Sequence, residues 1–418
     1  MRAAQIHDED LEFDMTSAES IRDDRLLPTL ARLRESDPVH WSKANRCWQI
    51  TTYEVVAAAF QDAHFSNVRM STFAFRSIPE AEHESRLPNL TRYVKGWIVN
   101  NDGDVHRRLR SVTTKALNKK FVDSLRPLFQ TLSSELTEKA VRLKECNYAA
   151  EIAYFLPATV VLTLLGLPLQ HLEKVREWNQ AITRALAGVF APAEMLIAAD
   201  QAIDEMNKMV LVEIAKRRAL PREDLLTQLI TLSDDATGTL TEDEVLGLCH
   251  ILLTAGHETT VNSLVYGLVA WAHNPEQAEL FLSGKVDPLA AMQELSRYIG
   301  MSTAQPRVAA EDFELRGKQI KKGDVAFLWI LSANMDPKVF PAPERLDLTR
   351  PNIADAMTFG PGIHHCVGHY LARAELAVFF RTFLPRFAKI EILDDPLAVL
   401  PNLVFRGLQH LNVRLTPN

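Results

Sequence analysis

Apolar residues recur at helical spacing over most of the chain. Windows of that kind cover residues 19–35, 51–61, 104–118, 121–143, 149–166, 168–187, 193–219, 241–273, 287–299 and 369–388, and each predicts a helix. Stop signals close several of them, "GLP" at 166–168 and "HNP" at 273–275. Strict alternation is rarer. "PVHWSKANRCWQI" alternates about a polar turn, and "FELRGKQIKKGDVAFLWI" reads as two strands around "KKGD". "NLVFRGLQHLNVRL" is a further strand candidate near the C-terminus. Between about 66 and 103 neither period holds, and a loop of that length inside a compact domain is often functional. With no repeat, low-complexity tract or linker, the pattern predicts one domain over 1–418, mainly α with a smaller β portion.

Composition narrows the class. Apolar residues make up 47% of the 418 and charged residues 24%, the balance of a globular protein able to bury a large core. A formal charge of -7 argues against nucleic acid as a general partner. "MRAAQIHDEDLEFDM" is acidic and lacks the apolar stretch of a signal peptide. The longest apolar run, "FLPATVVLTLLGLPL", is broken by prolines and too short to span a bilayer, so no membrane anchor is expected. Cys47, Cys146, Cys249 and Cys366 show no paired spacing, which suits reduced thiols and a cytoplasmic protein.

Three stretches carry candidate chemistry. In "FGPGIHHCVGHYLARAE", glycines 360, 362 and 368 allow tight turns and close approach to a flat ligand. Cys366 stands just before a predicted helix, where free N–H groups and the dipole favour thiolate. Such a thiolate serves as a nucleophile, a zinc ligand or an iron ligand; a buried cysteine alone is more often an inert hydrophobe. His364, His365 and His369 lie near enough in sequence to raise zinc, but no second ligand cluster exists. The window at 241–273 opens with Thr241 and Glu244 at capping-box spacing and would run roughly 50 Å as a helix. Gly256, Glu258, Thr259 and Thr260 interrupt its apolar centre, where a glycine costs about 1 kcal/mol against alanine. A small-residue packing notch with an outward glutamate is the plain explanation. Finally, "ELSR" sets Glu294 and Arg297 on one helix face, a common surface pairing by itself.

Together these stretches resemble the cytochrome P-450 family, the haem-thiolate monooxygenases. Phe359, Gly360, Gly362, His364, Cys366 and Gly368 match its F-x-x-G-x-x-x-C-x-G haem loop, and "AGHETT" from Ala255 to Thr260 is similar to its A-G-x-[DE]-T-T motif. "ELSR" matches its E-x-x-R pair, with Arg345 of "FPAPERLDLTR" at the third position. The resemblance implies a single triangular domain with a long central oxygen-binding helix and haem b as cofactor. It makes Cys366 the axial iron ligand, a thiolate that favours O–O cleavage. Phe359 would pack beside the sulfur, and Gly368 would spare the porphyrin a clash. Thr259 would hydrogen-bond bound oxygen and Glu258 would relay protons, two of which are needed to split an O–O bond heterolytically. Glu294, Arg297 and Arg345 would hold the fold behind the haem. His106, Arg110, Arg307 and His364 are the candidates for the propionates.

By family position the substrate pocket includes Phe73, Phe75, Trp97, Leu186, Phe190, Leu252, Ala255, Ser302, Thr303 and Phe405. Most are apolar, and each alone is more often core than contact. The implied reaction takes two electrons and O2 and inserts one oxygen atom into a small apolar molecule: a terpenoid, steroid, fatty acid or aromatic. Electrons would come from a ferredoxin or flavodoxin-type chain, steered by Arg107, Arg108, Lys115, Lys119 and Lys120 or facing a merely solvated helix. A monomer is expected. A peroxygenase, isomerase or coupling catalyst is the first alternative, and a haem-binding sensor the second. Met335, Gly300 and His365 depart from the family pattern.

Overall fold

The computed structural model describes residues 11–68, 74–186, 191–234, 239–400, 402 and 404–418. Nine helices among the described residues exceed ten residues. They are α1 (Asp23–Ser36), α2 (Gly103–Ala116), α3 (Arg126–Leu143), α4 (Phe155–Leu165), α5 (Leu172–Leu186), α6 (Ala193–Ala219), α7 (Glu242–His273), α8 (Pro288–Ile299) and α9 (His369–Phe383). The periodic windows therefore locate these helices to within a few residues. Among the described residues no helix is long and apolar enough to cross a membrane.

Helix α7 is the axis of the molecule. Its start is fixed by the capping box: Glu244 N–H donates to Thr241 Oγ1 at 3.2 Å, and Thr241 N–H donates to Glu244 Oε2 at 2.9 Å. It packs against α4, α5, α6, α8 and α9, so it is apolar all round rather than amphipathic. At Gly247 the turn Val94–Gly96 crosses it so closely that a Cβ would lie 2.6 Å from Gly96 Cα. The apolar residues of α7 fall into two separate core clusters. Val245 to Leu253 belong to one and Val261 to Trp271 to the other. The gap between them is the AGHETT motif.

The β portion comprises β1 (Val39–Ser42), β2 (Cys47–Ile50), β3 (Phe65–Ser66), β4 (Glu145–Asn147), β5 (Gln305–Ala309), β6 (Phe313–Leu315), β7 (Lys318–Ile320), β8 (Val325–Leu328), β9 (Phe387–Ile392) and β10 (Asn412–Pro417). The largest sheet has the order β1-β2-β8-β5-β3, with β2 and β8 parallel. The second runs β4-β10-β9, and β6-β7 form a hairpin.

Several expectations need correction. "FELRGKQIKKGDVAFLWI" holds three strands. The hairpin turns at Arg316–Gly317, both at positive φ, and "KKGD" releases β8 into the main sheet, where it pairs with β5 and β2. β5 escaped notice because it is a central strand, buried on both faces after its first residue and thus without alternation. The last long helix ends at Phe383, five residues early, because Pro385 lies in a tight turn and 387–392 form β9. The 121–143 window is split into Lys119–Ser124 and α3, with Pro127 in the first turn of the latter. Within the supposed loop at 66–103, short helices His83–Arg86 and Pro88–Tyr93 form.

Candidate active site

The cysteine loop is built from its own backbone. Cys366 N–H donates to Phe359 O at 2.8 Å, His365 N–H to Gly362 O at 3.1 Å, and Gly360 N–H to Met357 O at 2.8 Å. Gly360 and Gly362 sit at φ +69° and +78°, where an L side chain is strained. These turns deliver Cys366 to the start of α9. Arg110 of α2 reaches across and donates to His365 O. His365, whose role the sequence left open, turns its Nδ1 to Gly360 O at 2.7 Å, so its ring braces the loop.

Of the four cysteines, Cys366 alone is exposed. Burial pushes Cys47 and Cys249 up to about 12 and Cys146 to about 11, leaving them inert. Cys366 presents accessible area yet is surrounded as densely as an interior residue, which describes a deep recess. That crowding raises its thiol, while the Gly368 N–H and the charges of Arg110 and Arg373 pull it down. A bound metal ion would deprotonate it outright. A Cβ on Gly368 would lie 3.9 Å from the sulfur, so the glycine keeps the space beside it open. Among the described residues no group of three or more His, Cys, Asp or Glu could hold a metal ion, which disfavours zinc at His364, His365, Cys366 and His369.

The AGHETT turn is open on one face. Ala255 and Gly256 are exposed in the middle of an otherwise buried helix, and a Cβ on Gly256 would meet only Val161, at 3.6 Å. Thr259 Oγ1 donates to Ala255 O at 2.8 Å, the i−4 bond that loosens a helix ladder. Thr260 Oγ1 makes the longer bond to Gly256 O, at 3.3 Å. Glu258 is held above the ordinary carboxylate range by burial, opposed by Asn262, Arg184 and Arg176. Val367 and Leu371 behind Cys366 pack on the same core cluster as Leu252 and Leu253 of α7.

Two of the four propionate candidates meet. His106 and His364 come together, their ring centroids 4.1 Å apart. Burial, then the neighbouring His364 and Arg110, push His106 down to about 4, so it is neutral near pH 7. Its Nε2 is buried without a hydrogen-bond partner, as a group awaiting a polar ligand atom would be. Arg307 is buried on β5, donating to Pro306 O at 2.9 Å with its guanidinium 4.9 Å from the Phe60 ring centroid. Asp102 was missed by sequence reasoning. It lies 3.7 Å from His364 Nε2 and accepts from Ser66 Oγ at 2.6 Å and Asn67 N–H at 3.1 Å. Against the cost of burial, the neighbouring His364 imidazole and the bonds from Ser66 and Asn67 hold it well below the usual carboxylate range. A thiol in a recess, an open turn of α7 and a buried unpartnered imidazole fit a haem.

One structural assignment changes. Glu294 takes a bidentate pair from Arg297 at 2.7 and 2.8 Å, but the second arginine is Arg350, at 3.2 Å to both oxygens. Arg345 is exposed and offers only its carbonyl, to Arg297 and Arg350. The Arg345 side chain is exposed, whereas Arg350 folds back and donates to the carbonyls of Pro341, Ala342 and Arg345.

Phe73 and Phe190 lie outside the described residues. Phe75 and Trp97 are fully buried core residues, Phe75 edge-on to His83 at 5.4 Å. Leu186 and Leu252 are partly buried, and Ser302 bridges Phe405. Thr303 Oγ1 is buried without a partner. The basic patch also shrinks. Arg107 pairs with Asp104, Arg108 with Glu244 and Lys119 with Asp123, leaving Lys115 and Lys120 without an ion pair among the described residues.

The family model for cytochrome P450 matches residues 45–280 and 289–403, and the chain belongs to that family. It is similar to the cytochrome P450 monooxygenase PikC of Streptomyces venezuelae, 32% identical over 398 residues, 93% of this chain and 90% of that one. The 6-deoxyerythronolide B hydroxylase of Saccharopolyspora erythraea is 30% identical, covering 93% and 95%. The polyketide biosynthesis cytochrome P450 PksS of Bacillus subtilis is 29% identical over 402 residues. Its solved structure superposes with a TM-score of 0.84 over 97% of this chain and 100% of that one. The fold is thus the cytochrome P450 fold, the enzyme a monooxygenase and its cofactor haem b.

Proposed function

We propose that this enzyme hydroxylates or epoxidises an apolar organic molecule, with Cys366 as the axial ligand of haem iron. The observation that carries the reading is the one exposed thiol of four, delivered by glycine turns to the start of α9. Haem, when bound, supplies oxygen activation, which an axial thiolate promotes. His106, His364 and Arg307 would hold its carboxylates, while Arg110 braces the loop carrying the ligand. Thr259 Oγ1, bonded to Ala255 O, is placed to hand on a proton. Glu258, whose carboxyl pKa is raised by burial above its ordinary range, would resupply it. Leu186, Leu252, Ser302, Thr303 and Phe405 would shape the pocket.

Two relatives are named for 6-deoxyerythronolide B and for polyketide biosynthesis, so a polyketide-derived skeleton heads the substrate classes, beside terpenoids, steroids, fatty acids and aromatics. An acidic ferredoxin meeting Lys115 and Lys120 would deliver the electrons. The test is a spectral titration of the holoprotein against such compounds, followed by turnover under 18O2 with a ferredoxin system. One 18O atom in the product supports the reading. Peroxide-driven turnover with none from O2 and reductant would replace it by the peroxygenase alternative.

A further inference from the structure

Asn179 is fully buried on α5, and all its side-chain bonds go to one turn of α7. Its Nδ2 donates to Leu253 O at 3.0 Å and to His257 Nδ1 at 3.3 Å, and its Oδ1 accepts from Thr254 Oγ1 at 3.2 Å. An amide offers two N–H donors and one carbonyl, so this set uses both donors and the acceptor on a single helical turn. Accepting at Nδ1 fixes His257 as the Nε2–H tautomer, its ring edge-on to Tyr154 at 4.8 Å. On an α-helix, residues 253, 254 and 257 share one face, and 255, 256 and 259 lie on the opposite one. The amide therefore grips α7 directly behind its open face. That grip falls where the two apolar clusters of α7 part company, so hydrogen bonds hold there what packing does not. Two turns further along α5 stands Leu186, a pocket-wall candidate.

We propose that Asn179 is a positioning residue that ties the oxygen-side turn of α7 to the seating of α5. With α5 seated, Ala255, Gly256 and Thr259 keep their geometry; with α5 displaced, the turn loosens. A molecule filling the pocket against Leu186 would then order the turn through Asn179, in addition to any contact it makes with Ala255. This rests on the haem-enzyme reading above.

The experiment is hydrogen–deuterium exchange on the holoprotein, with and without 4-phenylimidazole as a pocket-filling iron ligand. Peptides covering 172–186 and 253–260 are followed in wild type and in Asn179→Leu, which keeps side-chain size and removes the three bonds. In wild type the ligand should slow exchange in both peptides. In Asn179→Leu the slowing at 172–186 should persist, while that at 253–260 falls by about tenfold, the scale of one or two lost buried hydrogen bonds. A purely structural role would loosen both peptides in ligand-free and bound protein alike. Equal ligand protection at 253–260 in both proteins would overturn the proposal. If Asn179→Leu does not fold, Thr254→Val combined with His257→Phe removes two of the bonds from the α7 side and is read the same way. The ferrous–CO band near 450 nm is recorded first, on wild type. Its absence there would defeat the haem-thiolate reading, whereas its presence with unchanged exchange defeats only the role of Asn179.

Discussion

From Met357 to Cys366 the cysteine loop closes its backbone-to-backbone hydrogen bonds within ten residues of sequence, with Arg110 and Asn334 bracing it from outside, and two glycines at positive φ set its turns. The AGHETT turn of α7 is held instead by an amide more than seventy residues away, and by apolar clusters that stop on either side of it. Both regions belong to the proposed site, but their tolerance of change should differ. A locally closed loop fails at its own residues. A turn held from outside responds to whatever moves its neighbours, and local opening is easiest where buried apolar contacts are sparse.

The sharpest way to break the contrast is at the loop. Cys366→Ser should abolish the ferrous–CO band near 450 nm and reduce oxygen-dependent turnover to background, with the circular dichroism of the helices retained. A surviving 450 nm band would remove Cys366 from its role. Next in size is the ion network beneath the site. Arg350→Ala leaves Glu294 buried with one partner fewer and should cost about 3–5 kcal/mol, read as urea midpoint or as loss of folded holoprotein. Arg345→Ala should stay within about 0.5 kcal/mol of wild type, as exposed substitutions do. Reversed magnitudes would restore the sequence-based assignment.

On the α7 side, Thr259→Ala should spare haem binding and the rate of reductant use. Product formed per reductant should fall by about tenfold or more, with hydrogen peroxide making up the balance. Full coupling would exclude a role for its hydroxyl. The smallest effect is expected at the surface. Lys115→Glu with Lys120→Glu should slow reduction by an acidic ferredoxin several-fold at low salt and little at high salt, because rim charges act mainly on encounter. The corresponding change at Lys119 should do less, since Asp123 already neutralises it.

Most of the long helices were legible because apolar periodicity survives in the chain, whereas α7, apolar all round, was legible from its capping box and its unbroken run to the stop at "HNP". β5 was not, because a strand buried on both sides loses the alternation that announces it. Arg350 was hidden for a different reason. Arg345 and Arg350 stand five residues apart in one loop, and nothing in "ERLDLTR" says which side chain turns inward; Glu294 decides that from another element. Asp102 and Asn179 belong to no local motif at all, and their meaning exists only beside His364 and His257.

By itself, the chain's amino-acid order settled what short-range forces can settle: helices from their period, the cysteine loop from glycines that admit left-handed turns, and the class of chemistry from residue types at fixed offsets. Tertiary structure alone chose which arginine neutralises Glu294, which thiol stays open, and which buried amide grips the AGHETT turn. Those choices depend on burial and on hydrogen bonds between distant segments. Such bonds gain their strength, or impose their cost when unmade, only after water has been excluded.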